Sequence, residues 1–152
     1  MDGYQPARNR VYEVLKGNAA QAPVGNVVVL TGDIHSAWAA DLTPDPNNPN
    51  LAAGGYNPAT GEGSQAVEFV GTSVSSPGVD SDTNGGIAGF LRQLNPHFKY
   101  INLHRRGYML VDARPQRVVA EWWYVDSVAS LSNIETFAGA HEVQNDTNRL
   151  LP

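Results

Sequence analysis

Val27, Val28, Val29 and Leu30 form an unbroken apolar run, three of them β-branched, and the run leads through Thr31-Gly32 into Asp33-Ile34-His35-Ser36. Such a run is expected of a buried strand covered on both faces. Gly32 lets the backbone leave the strand sharply. Asp33 and His35 follow at a spacing of two, so in extended backbone both side chains project to the same side. A hard carboxylate oxygen beside an imidazole suits a divalent or trivalent metal ion. The carboxyl ends of strands are also where open α/β sheets place their chemistry. The structural alternative is that Asp33 caps a turn and His35 is a surface or second-layer residue.

At 152 residues and 41% hydrophobic content, the chain is expected to form one domain, or part of one, with a substantial core. The net charge of -5 and the lack of a basic stripe argue against a nucleic-acid backbone as partner. No polybasic run is present to hold an anionic membrane, and no apolar run approaches the ~20 residues that span one. The absence of cysteine excludes a disulfide scaffold, a thiolate metal site and a cysteine nucleophile. The opening Met1-Asp2-Gly3-Tyr4-Gln5-Pro6 lacks the basic and apolar parts of an export signal.

Ahead of the strand, Val11, Tyr12 and Leu15 share a stripe that predicts a packing helix ending at Gly17-Asn18. Ser36 to Leu42 reads as a second strand or a helical turn, with Trp38 as core or pocket wall. Residues 43–65, rich in proline, asparagine and glycine, read as a long loop. Asp45, Asn47 and Asn48 within it lack the further acidic ligands of a calcium loop. Ala66 to Thr72 reads as a third strand, followed by the hydroxyl-rich turn Gly71-Thr72-Ser73-Val74-Ser75-Ser76-Pro77-Gly78. That turn can cradle a phosphate or simply satisfy its own backbone. Without a Gly-x-Ser-x-Gly elbow, none of its serines is assigned as a nucleophile. A short helix over Gly85 to Leu94 precedes His97 and His104, either of which is a possible ligand.

The strongest β signal is a hairpin of Gly107–Ala113 and Arg117–Val125 around Arg114-Pro115-Gln116. Residues 129–152 are polar and weakly patterned, and read as a tail, helical in part or partly disordered. The order of elements describes an α/β layer, and a β-sandwich flanked by helices uses the same parts. Trp122 and Trp123 face opposite ways on one strand, which argues against a carbohydrate-binding platform.

Taken together, these motifs resemble the alkaline phosphatase D family of calcineurin-like metallophosphoesterases. The carriers are Val28-Val29-Leu30-Thr31-Gly32-Asp33-Ile34-His35-Ser36, Asp2-Gly3-Tyr4 with Arg8, and Glu68-Phe69-Val70 through Ser73-Val74-Ser75-Ser76-Pro77-Gly78. Tyr100 through Arg106-Gly107-Tyr108 and then Ala120-Glu121-Trp122 complete the set. The likeness covers residues 1–128, as the C-terminal half of such a domain. It implies part of an α/β/β/α sandwich with a mixed sheet, a C-terminal antiparallel hairpin and flanking helices.

The resemblance also implies a dinuclear iron and calcium site hydrolysing phosphomonoesters or diesters, with Asp33 and His35 as metal ligands and no role for Ser36. It suggests a secreted or periplasmic setting. The family's upstream ligand motifs are missing here, and Gly32-Asp33 is the one Gly-Asp pair. The expectation is therefore the C-terminal portion of a phosphate-ester hydrolase, inactive alone and prone to self-association where its N-terminal half is absent. The alternative is a non-catalytic α/β interaction module in which Asp33 and His35 are structural.

Overall fold

The computed structural model describes residues 4–151, so Asp2 and Gly3 of the resemblance lie outside the described residues. Two sheets pack face to face. The first has the order β1-β3-β2-β4, with β1 Val28–Thr31, β2 Ala37–Leu42, β3 Ala66–Val70 and β4 Phe98–Asn102. Its β1 and β3 run parallel and its other pairs antiparallel. The second is the antiparallel sheet β5-β6-β7, with β5 Gly107–Arg114, β6 Arg117–Val125 and β7 Glu135–Gln144.

Period-two alternation builds the core between them. Ala37, Ala39, Val67 and Phe69 face Ala120, Trp122, Tyr124 and Val143. Phe69 meets Trp122 edge-on at 6.0 Å between ring centroids. On the other side of the first sheet, the helix α2 (Gly86–Leu94) supplies Ala88 and Leu91 against Trp38, Phe98, Ile101 and Leu103. Asp82 begins that helix by accepting the Ile87 and Ala88 N–H groups through its two carboxylate oxygens. The layers are thus helix, mixed sheet and antiparallel sheet, as the α/β sandwich expectation requires.

Three local expectations are corrected. First, β1 is not covered on both faces: it pairs with β3 alone among the described strands, and Leu30 is 55% exposed. Its apolar run marks a strand with an open edge. Second, the helix α1 (Gln5–Lys16) forms and ends at Gly17, whose φ of 71° suits glycine, but none of its residues is buried. Val11 and Val14 are both exposed.

The third correction concerns the polar stretch after residue 128, where the structure has strand β7 rather than a helix. Its pairing with β6 runs from Arg117↔Gln144 to Val125↔Glu135, with an irregularity at Trp122/Trp123. Ala138-Gly139-Ala140 and this bulge blur the alternation that a strand would otherwise show. Beyond the bulge, Phe137 packs on the outward Trp123 at 5.3 Å, while His141 and Val143 turn inward.

The long loop 43–65 contains one short 3-10 turn, Leu51–Ala53, and is tied down by a buried carboxylate. Asp41, with no solvent exposure, accepts the Tyr56 hydroxyl at 2.6 Å and the Leu150 N–H at 2.7 Å. Lys99 Nζ lies 3.7 Å away. Burial pushes the Asp41 carboxyl up in pKa, against the hydrogen bonds and Lys99, which act in the opposite direction.

His141 packs on Tyr100 and Trp122 at 5.6 and 6.0 Å. Burial first, and the Arg92 guanidinium second, hold its pKa below the ordinary 6.5. The unfolded chain therefore takes up this proton more readily than the native state, and its protonation favours unfolding. This group's contribution is present above about pH 6.5 and is lost as the pH falls through the depressed native value. In urea titrations between about pH 7.5 and pH 5, His141→Phe is expected to lose less stability than the wild type. Equal losses in the two proteins would refute this.

Candidate functional site

Register fixes which loops meet. Thr31 and Val70 end the parallel pair β1 and β3 together. Trp38 lies opposite Val70, and Ala37 opposite Asn102, so β2 starts and β4 ends at the same edge. The second sheet joins there, because the Gly107 N–H donates to Ser73 O at 3.0 Å and Gly107 pairs with Tyr124. One end of the sandwich therefore gathers residues 32–36, 71–82, 103–106 and 126–134. The carboxyl ends of four strands converge on it.

Asp33 and His35 sit on this end, on backbone that differs from expectation. The segment is not extended. Asp33 has φ 72° and His35 has φ 59°, both left-handed. The Ile34 N–H donates to Gly32 O at 2.9 Å, closing a three-residue turn centred on Asp33. Aspartate and histidine tolerate this region better than most residues, yet each such residue still costs about 1–3 kcal/mol. Strain of that kind persists only where surrounding contacts hold it.

Those contacts are visible. Ser36 is buried, accepts the Trp38 indole N–H at 2.6 Å and donates to Ile34 O at 3.4 Å. His35 Nδ1 lies 2.8 Å from Pro77 O. A carbonyl oxygen only accepts, so Nδ1 carries a proton, and in the neutral ring Nε2 has the lone pair. A ring fixed through one nitrogen in this way suits a metal-binding histidine. The Asp33 side chain is exposed and takes no hydrogen bond or ion pair among the described residues.

Asp33 and His35 thus fit a metal site as donors, one hard oxygen and one neutral imidazole. They do not make a complete one: no group of three or more His, Cys, Asp or Glu side chains able to hold a metal occurs among the described residues. His97 stacks on Phe98 at 4.1 Å, and His104 Nδ1 is shielded from solvent.

The family model for PhoD-like phosphatases matches residues 1–122. This chain belongs to the PhoD-like phosphatase family. Alkaline phosphatase D of Bacillus subtilis (strain 168) is 33% identical over 121 residues, which are 80% of this chain and 18% of that relative. A solved structure of PhoD superposes with a TM-score of 0.74 at 29% identity, covering 99% of this chain and 26% of that one. The chain therefore spans only a small part of the PhoD proteins it matches.

Within this PhoD-like frame, the hydroxyl-rich turn after β3 satisfies backbone groups. Thr72 Oγ1 donates to Arg105 O at 2.8 Å and Ser73 Oγ to Ser76 O at 2.7 Å. Sequence reasoning missed three supporting residues: Ser36, Gly78 and Arg106. A Cβ on Gly78 would lie 2.7 Å from His35 O and 2.8 Å from Leu103 O. The close approach of three backbone segments requires glycine there, and the Pro77-Gly78 pair was the available signal.

Gly78→Ala is accordingly expected to force these segments apart and to cost about 1–3 kcal/mol in urea unfolding. Gly25→Ala serves as control, since nothing lies within 4 Å of a Cβ at Gly25, and should stay within about 0.5 kcal/mol of the wild type. Equal effects of the two substitutions would mean that the 71–82 loop is not seated on His35 as described.

Proposed function

We propose that this chain supplies Asp33 and His35 to the dinuclear metal centre of a phosphate-ester hydrolase, acting on phosphomonoesters or diesters. The remaining ligands come from the part of PhoD-like proteins that this chain does not span. The observation that carries the reading is His35, whose Nδ1–H is committed to Pro77 O, on the same strand-exit turn as the exposed Asp33. Family membership supplies the phosphatase class. The ions we assign are iron and calcium, in line with the alkaline phosphatase D resemblance.

When bound, such a pair of ions grips phosphoryl oxygens and lowers the pKa of a water. The chain's own part is to place the donors. Asp33 brings negative charge, and His35 brings a neutral ring nitrogen in a fixed tautomer. The γ-turn and the Ser36 bridge fix where both side chains start. Two donors are fewer than the three or four protein ligands that usually retain an ion. The isolated chain is therefore a hydrolase part rather than a hydrolase.

The test supplies the missing part. Residues 1–122 replace the matched segment of the Bacillus subtilis relative, and hydrolysis of p-nitrophenyl phosphate and bis(p-nitrophenyl) phosphate is followed with added iron and calcium. The chimera is expected to turn over substrate, and Asp33→Ala or His35→Ala to lower the rate by about 10²-fold or more. The isolated chain is expected to show no metal-dependent turnover. Activity indifferent to both substitutions would remove Asp33 and His35 from the centre and favour the interaction-module reading.

We further propose that the isolated chain self-associates. The open edge of β1 and the exposed Leu30, Ile34, Val11 and Val14 offer unpaired backbone and apolar surface. Light scattering should give a mass above that of one 16.3 kDa chain. A monomer at all concentrations would count against it.

A further inference from the structure

We propose that Arg106 is the positioning residue that sets the ring of His35. The inference rests on the metal-centre reading for its purpose, but on geometry alone for its existence. Arg106 is 9% exposed, so its charge is held inside the protein and needs acceptors. Each guanidinium nitrogen has one. Nε donates to Ser76 O at 2.6 Å, Nη1 to His104 O, and Nη2 to the Asp80 carboxylate. Asp80 feels the pair, and its carboxyl is held below the usual carboxylate range chiefly by the hydrogen bond from Arg106.

The three acceptors define what the guanidinium fixes. Ser76 O belongs to the residue immediately before Pro77, whose own carbonyl receives His35 Nδ1–H. Gly78, immediately after Pro77, has no room for a Cβ, which would meet His35 O, Leu103 O and Arg106 Nη1. Arg106 therefore holds the chain on both sides of Pro77, at Ser76 O and at the Asp80 carboxylate. The Ser76 carbonyl also takes the Ser73 hydroxyl at 2.7 Å, and the Val79 N–H donates to Leu103 O at 3.0 Å. The planar fork meets diverging acceptors at once, which a lysine ammonium on a flexible stem does not reproduce. Charge on Arg106 is thus converted into the direction of one neutral carbonyl. That carbonyl decides which His35 nitrogen keeps its proton and which faces the open side.

The role predicts a spectroscopic signature separate from stability. In long-range 1H–15N spectra of the 152-residue chain at about pH 8, above the ordinary histidine range, His35 should show the Nδ1–H tautomer alone. Arg106→Lys keeps the charge and loses the fork, and is expected to convert His35 to a mixture of tautomers while His141 is unchanged. Should that variant fail to fold, Asp80→Ala replaces it. Asp80 is 63% exposed and lies at the outer end of Arg106, so this substitution loosens the fork without opening the core.

A folded variant in which His35 keeps the single Nδ1–H tautomer overturns the proposal, even if its melting temperature falls. The chimera tests the underlying metal reading independently. Loss of its turnover on Asp33→Ala or His35→Ala supports that reading, and turnover indifferent to both sinks it and leaves the tautomer result to stand or fall alone.

Discussion

The indole of Trp122 is the contact on which the two sheets depend. It is fully buried on β6, meets Phe69 of β3 and Tyr100 of β4, and donates its N–H to Val70 O at 2.9 Å. An aromatic ring of this size is buried without loss only when its N–H finds a partner. Here the partner is the last backbone carbonyl of β3. The hydrogen bond therefore sets the height at which the antiparallel sheet sits on the mixed one. Because β3 ends at Val70, that height also decides where the loop after β3 emerges, and this loop holds His35. Tyr124, two residues on, continues the same inward face, and its hydroxyl lies 2.6 Å from that of Tyr100.

Strain and support are separated in the same way. The left-handed Asp33 and His35 are costly locally. Support comes from three directions: Trp38 on β2 through Ser36, Pro77 after β3, and Arg106 ahead of β5 through Ser76 O. Each belongs to a different element, so the turn is held only when the sandwich is assembled. The commitment of His35 Nδ1–H to Pro77 O is then a property of the tertiary fold rather than of the turn sequence.

Sequence reasoning reached the elements whose signals are local. The hairpin around Arg114-Pro115-Gln116 is read correctly because two runs rich in strand-forming residues meet at a proline turn. The third strand and α2 follow from short apolar runs bounded by glycine and proline. The order of motifs was specific enough to identify the family. What escaped depends on partners distant in the chain. β7 carries small residues and a bulge, and is specified by pairing with β6 more than by its own pattern. The conformation at Asp33 and His35 escaped because extended backbone is the default after a strand, and the contacts that override it come from residues 77 and 106. Arg106 reads in sequence as one of two adjacent arginines, and only burial distinguishes it from Arg105, whose guanidinium lies 5.2 Å over the Tyr124 ring.

The open edge and the exposed Asp33 are features of one strand and its exit. β1 pairs with β3 on one side only, and three residues after its apolar run it presents Asp33. A segment that paired with the free edge of β1 in parallel would also end at the edge where Asp33 and His35 sit, because parallel neighbours terminate together as β1 and β3 do. Covering the exposed Leu30 and adding donors next to Asp33 are then consequences of the same pairing. Under the proposed function, sheet completion and ligand completion are a single event. The metal affinity of Asp33 and His35 should accordingly rise only in a form of the protein in which β1 is an interior strand.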